Sequence, residues 1–235
     1  GIEQQGGESD NRHDGIENLM NLREEVEKII EYTDAYIEQV DWVSELYQKQ
    51  YNRWEQDNDS VFIDFQLDEE EPDGKYYFAP MGMYVNRDPF DPPRVNFDAI
   101  KLDGTFRLMP KEVGLKMTEI YDGTELRYLI ENTGKNEERY VNQFIDQIAN
   151  KWVYDLPWVD VDYNEFWIEN RKYVQNDKFI KYNLYKRLDL WQYSVKDQLQ
   201  VYRNSLIEST KLLDSVIAVR DSEFEFIWWV LNPKD

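Results

Sequence analysis

The chain has 235 residues, a formal net charge of −21, one histidine and no cysteine. That charge argues against nucleic acid as the main partner, because phosphate binding needs a clustered basic surface. The missing cysteines exclude disulfides, thiol catalysis and thiolate metal sites. With 8 Trp, 17 Tyr and 11 Phe, the chain has the side chains for a substantial core, so its acidity is not that of a disordered polyanion.

Residues 1–14 are polar, contain glycine and lack periodicity, which predicts a flexible lead, with Asp14 as N-cap of the helix after it. From Ile16 to Asp57 the spacing predicts one long helix. Leu19, Val26, Thr33, Val40, Tyr47 and Trp54 recur every seventh position, and Leu22, Ile29, Tyr36 and Val43 form a second row. Rows offset by three and four residues share one helix face, and that face must be buried. Its Tyr36, Tyr47, Tyr51 and Trp54 are large for a narrow two-helix seam. A packed intramolecular bundle suits them, with a homodimer as an additional possibility.

Residues 58–94 change character. VFIDFQL (61–67) alternates as a strand does, DEEEPDG (68–74) has turn chemistry, and KYYFAPMGMYV (75–85) can return as a second strand. The three prolines in 86–94 forbid regular structure there. A small hairpin or extended insertion is expected. A short helix over 96–104 ends at Gly104, and another follows Pro110 to Tyr121, broken by Asp122-Gly123. Thr124 opens a helix to about Trp152, with a kink expected near Gly134.

Residues 154–170 form a connector dense in Trp and Asp that passes into a short helix over 162–173. A last long helix is expected over 177–220. It has one row at Leu188, Val195, Tyr202, Ser209 and Val216, and an adjoining row at Leu199, Leu206 and Leu213. The tail 222–235 alternates in part and reads as a short strand. Its run Phe226 to Leu231 is the longest unbroken apolar stretch, far too short to cross a bilayer.

One layout is familiar. Phe97, Ala99, Ile100, Gly104, Leu108, Leu115, Ile120 and Tyr121 lie in NFDAIKLDGTFRLMPKEVGLKMTEIYD, between a long first and a long last helix. This resembles a bacterial family of uncharacterised proteins, a domain of unknown function. Its members carry a single N-terminal transmembrane helix followed by an extracytoplasmic helical domain. The resemblance covers most of residues 19–220 and implies a periplasmic location, anchored to the inner membrane in the full-length protein. It offers no catalytic residues to carry over, and the stretch 58–94 has no place in the family pattern.

Candidate chemistry is sparse. His13 lies in the lead, without the rigid support a site needs. Ser-His-Asp machinery, histidine zinc sites and phosphate loops are all missing from the sequence. Carboxylates are the plentiful reactive groups, and two facing acids suffice for glycoside hydrolysis. Trp158 and Trp167, with Asp160 and Asp162 among neighbouring acids, are the place to look for a sugar site. The plainer account is that these Trp cap the bundle end while the acids face water. DVDYNE (160–165) starts like a calcium loop, but Glu165 replaces the required glycine and Arg171 the twelfth-position acid, so no metal or other cofactor is expected.

Residues 55–73 hold nine acids and no base, while 171–187 hold six bases and one acid. Arg171, Lys172, Lys178 and Lys181 therefore form either a pairing and solvated surface or an anion-binding face. The expected fold is mainly α: an elongated helical bundle over 15–235, in one domain, with a small β or irregular insertion at 58–94. The leading functional expectation is a non-enzymatic extracytoplasmic interaction or sensor-like module, membrane-tethered, with a protein or glycan partner. The alternatives are a carbohydrate-binding or carbohydrate-cleaving protein using residues near 155–169, and an oligomerisation scaffold.

Overall fold

The computed structural model describes residues 2–56, 88–148 and 176–231. It is mainly α, built from long helices, with no strand among the described residues. In chain order the helices are α1 (Ile2–Glu55), α2 (Val95–Asp103), α3 (Lys111–Asp122), α4 (Thr124–Thr133), α5 (Lys135–Ile148), α6 (Lys178–Asp189) and α7 (Lys196–Leu231). A 3₁₀ turn (Thr105–Leu108) joins α2 to α3, and a π-helical segment (Leu190–Val195) joins α6 to α7.

Contacts divide the chain into two compact units. The first comprises Gly1–Ala35, Asp91–Tyr128 and Leu199–Asp235, and the second Tyr36–Phe90 and Leu129–Gln198. No helix among the described residues is long and apolar enough to cross a membrane.

The expected stripe of α1 is the core. Leu19, Leu22, Val26, Ile29 and Thr33 are buried in the first unit, and Tyr36, Val40, Val43 and Tyr47 in the second. The rows of the last helix behave alike. Leu188 and Val195 are buried in the second unit, and Leu199, Tyr202, Leu206, Ser209, Leu213 and Val216 in the first. Side-chain pairs fix direction. Arg23 pairs with Asp214 and Arg203 with Asp34 in the first unit, so α7 runs antiparallel to α1 there. Asp41 pairs with Lys196 and Glu55 with Lys181 in the second unit, again in opposing order.

Several boundaries lie where local chemistry puts them. Gly104 ends α2 in the left-handed region at φ 84°, open to glycine without a side-chain penalty. Pro110 immediately precedes α3. At Gly123 a Cβ would lie 1.9 Å from the Glu119 carbonyl oxygen, so only glycine fits the α3–α4 break. Gly134 interrupts the next helix for one residue, as expected of the kink. Asp177 caps α6, its carboxylate accepting from the Phe179 amide at 2.9 Å. Residues 88–94 are irregular, as their prolines require.

Two expectations are corrected. The backbone is helical from Ile2, where a flexible lead over 1–14 was expected. Once a helix is nucleated, each added residue gains a hydrogen bond, and Glu3, Gln4 and Gln5 are good helix formers. Likewise α7 continues to Leu231, where 222–235 read as a strand. A short apolar run does not distinguish strand from helix by its own pattern, and here it extends a helix already formed. Of the insertion expected over 58–94, residues 58–87 with both strands of the hairpin lie outside the described residues, as does the short helix over 162–173.

In the first unit a single carboxylate ties three helices together. Glu25 of α1 is buried and accepts from the Asn96 amide at 2.6 Å, the Phe97 amide at 3.1 Å and the Tyr121 hydroxyl at 2.7 Å. The first amides of a helix have no partner within it, and α2 lacks a side-chain cap of its own. Glu25 supplies that cap from another helix, with its charge at the positive end of the α2 dipole. Tyr121 stacks on Phe97 at 4.1 Å between ring centroids, and the Tyr202 hydroxyl donates to the Ile120 carbonyl at 2.9 Å. Arg94 completes the joint. It donates to Asp98, to the Tyr121 carbonyl at 3.2 Å and to Asp122 at 3.1 Å, while Lys101 reaches the other Asp122 oxygen at 2.9 Å.

Glu25→Ala leaves three donors of a buried site without an acceptor, at about 1–3 kcal/mol each, partly relieved by water. The expected loss is about 3–5 kcal/mol in chemical denaturation, against about 1 kcal/mol for Tyr121→Phe, which removes one donor together with its need for a partner. Equal effects of the two variants would contradict the capping role.

A pH dependence arises from Asp122. Burial works against its charge, but hydrogen bonds from Lys101 and Arg94 outweigh it and hold the carboxyl below its ordinary 3.8. A lowered folded-state pKa gives stability that is present above 3.8 and lost as pH falls through the folded value. Wild type should therefore exceed Asp122→Asn in melting temperature near neutral pH, with the gap closing only as the pH falls below 3.8. A gap independent of pH would contradict this assignment.

Candidate functional site

The residues singled out in the sequence are only partly in view. Trp158, Trp167, Asp160 and Asp162, and the bases Arg171 and Lys172, lie outside the described residues, as does DVDYNE. Lys178 is exposed at the start of α6. Lys181 is committed to Glu55 of α1, which lowers the Glu55 pKa and raises that of Lys181. Lys186 sits 5.6 Å from the Tyr182 ring centroid. Arg187 is buried against Glu137 of α5 in a two-pronged pair, with Nη1 donating to Oε2 at 2.6 Å. Of the described bases in this stretch, Lys181 and Arg187 thus hold acids of neighbouring helices.

Breaking one side of a buried pair leaves the other charge stranded. Arg187→Ala or Glu137→Ala should cost about 3–5 kcal/mol, while the double change to Arg187→Met and Glu137→Leu should restore most of that. A double variant no better than either single one would contradict the account of the pair as mutually dependent.

A groove of about 750 Å³ lies wholly within the second unit. Its wall along α1 is made by Asp41, Ser44, Glu45, Gln48, Lys49 and Asn52, with Gln56 just past the helix end, and it is completed by Gln192 and Lys196. The volume falls in the range of small-ligand sites, but every lining residue is polar or charged, unlike the aliphatic and aromatic residues that line most such pockets. Helical spacing explains the wall: 41, 45 and 49 form one i, i+4 row of charges, and 44, 48, 52 and 56 a parallel row of Ser, Gln, Asn and Gln. Gln48 donates to Asn52 at 2.9 Å along that row.

The opposite side is set by the π segment. Inside a longer helix such a segment takes an extra residue per turn, and single-turn π insertions are frequent at functional sites. Here it buries Trp191 completely and places Gln192 at the groove. Polar atoms around it lack partners. Ser44 is only 7% exposed, and its Oγ has no hydrogen bond, nor do the buried Gln192 Oε1 and the neighbouring Trp191 Nε1. Buried polar atoms are nearly always paired, so these are exceptions.

No family model, no curated protein and no solved structure matches this chain. Among the described residues no three His, Cys, Asp or Glu side chains gather in a way that could hold a metal ion.

The groove residues carry little signal in the sequence. Ser44 lies four residues after the buried Val40, a small polar residue at the edge of an apolar stripe. Gln192 stands between two aromatics in LWQYSV, which has no π-helix signature.

Proposed function

We propose that the chain is a non-enzymatic ligand-binding module, sensor-like in its long helices, in which the groove of the second unit receives a small polar ligand. The observation that carries this reading is a groove lined by polar and charged side chains on one wall of which a π segment places Gln192. The lining can orient a ligand through hydroxyl, carboxamide and charged groups. The groove's acids and bases are partly engaged with one another, as in the Asp41–Lys196 pair, rather than set out as an acid and base facing a bond. In the same reading the module sits on the extracytoplasmic side of a bacterial inner membrane, tethered through an N-terminal anchor. The support for that placement is the resemblance of helix order and the acidic, cysteine-free composition. A glycan is a natural member of the ligand classes, since hydroxyl groups suit this lining. A scaffold built on the α1 stripe is not carried forward, because the stripe from Leu19 to Tyr47 is already buried within the chain.

The test is a thermal-shift screen of the purified chain against polyols and glycans, amino acids, short peptides, small amines and divalent ions. A ligand at a hundred times its dissociation constant should stabilise the protein by about 2.7 kcal/mol. The groove reading expects a shift from at least one class that Gln192→Leu abolishes while helicity is retained. A shift unaffected by Gln192→Leu and Ser44→Ala, or none from any class, would overturn it.

A further inference from the structure

We propose that the outer face of α2, with the turn and the helix start that follow it, is a self-association surface whose partner is a second copy of this chain. The inference stands apart from the groove, which lies in the other unit.

The face is apolar where a surface helix is ordinarily polar. α2 packs inward through Phe97 and Ile100, both buried. At 3.6 residues per turn, Val95, Ala99 and Leu102 lie on the opposite side, spaced i, i+4 and i+7. All three are exposed, Val95 at 76% and Leu102 at 89%. A helix apolar on both sides is ordinarily buried on both. Leu108, in the turn after α2, is 76% exposed. Leu115 is 64% exposed, on the side of α3 away from its buried Val113, Met117 and Ile120. A single exposed leucine is ordinary, but this run of large aliphatic side chains between positions 95 and 115 is the kind of surface a partner covers.

Charge selects the partner. Arg94, Asp98, Lys101 and Asp122 close on one another, and Lys116 is held by Glu119 and Glu208. Asp103, Arg107, Lys111 and Glu112 are exposed and make no ion pair with any described residue. These are two acids and two bases, net zero, on a chain at −21. That net charge opposes contact between two copies, and opposes it least where the open charges cancel. A strongly acidic or basic partner, or an anionic bilayer, would meet half of these charges with the wrong sign. A second copy turned about a two-fold axis offers an acid for each base and a base for each acid, as an isologous interface requires. In an antiparallel pairing centred on Ala99, the small side chain lets the two α2 helices approach, and Val95 of each lies toward Leu102 of the other. α2 is only about 14 Å long, so the interface is smaller than the roughly 800 Å² per partner of a standard one and the dimer is weak.

Sedimentation equilibrium of the whole chain, from about 1 µM to about 1 mM, tests the proposal. A monomer–dimer equilibrium is expected. Leu102→Glu should weaken it at least tenfold while helicity by circular dichroism stays that of wild type. Two charge variants test the pairing. One combines Arg107→Glu with Lys111→Glu. The other combines Glu112→Lys with Asp103→Asn, which keeps an acceptor for the Thr105 amide. Each alone should dimerise at least tenfold more weakly than wild type, and an equimolar mixture should associate more tightly than either.

A chain that stays monomeric throughout overturns the proposal. So does a dimer untouched by Leu102→Glu and by both charge variants, which places self-association elsewhere. A mixture no tighter than its components overturns the charge pairing that chose the partner. Cosedimentation with vesicles of phosphatidylglycerol and phosphatidylcholine is the comparison arm. A monomer that binds them, and is released by Leu102→Glu, assigns the face to a bilayer and overturns the second copy.

Discussion

Burial of the apolar stripe on α1 is the constraint on which the described structure depends. A 54-residue helix with an apolar face every seventh position cannot expose that face to water, since each buried Leu, Ile or Val is worth about 1.5–3 kcal/mol. In the first unit the helices that accompany it are held by Glu25, which reaches the start of α2 and the end of α3. In the second, Tyr36 and the segment before α2 lock together. The Tyr36 hydroxyl donates to the Asp88 carbonyl at 2.8 Å, and its ring meets Phe90 edge-on at 5.1 Å. The Phe90 amide in turn donates to Thr133 Oγ1 at 2.7 Å.

Buried polar groups with partners on neighbouring helices hold the arrangement. Glu25 is buried with three donors, Arg187 and Glu137 answer each other, and Thr133 both accepts from Phe90 and donates to the Leu129 carbonyl. These groups fix one arrangement of helices, because any slip would strand a charge or an amide in a dry interior. Ser44 and Gln192 break that rule, and they do so beside the one π segment among the described elements.

The groove therefore differs in kind from the polar clusters of the core. It is open, its rows of side chains come from helical periodicity on α1, and its carboxamides and hydroxyl can both donate and accept. An acidic surface alone would attract any cation. The spacing of hydroxyl, carboxamide and carboxylate along one helix face offers selection by geometry as well as by charge.

The sequence by itself determined the helical class, the faces of α1 and of the last long helix, and the breaks at Gly104, Gly123 and Gly134. All of these are local: a period of three and four residues, a glycine φ, a missing amide. Of the eight positions behind the family resemblance, Phe97, Ile100, Ile120 and Tyr121 are core, Gly104 is the helix cap, and Ala99, Leu108 and Leu115 are exposed. Tertiary structure alone decided that Glu25, one acid among 48 acidic residues, caps a helix 71 positions away. It also decided that Arg187 is buried, and that Ser44 meets Gln192 across a groove. Those outcomes depend on which helices run side by side, and a residue's chemistry carries no record of a neighbour so distant in the chain. The π segment belongs with them, because one extra residue in a turn is chosen by packing around Trp191 and leaves no periodic mark.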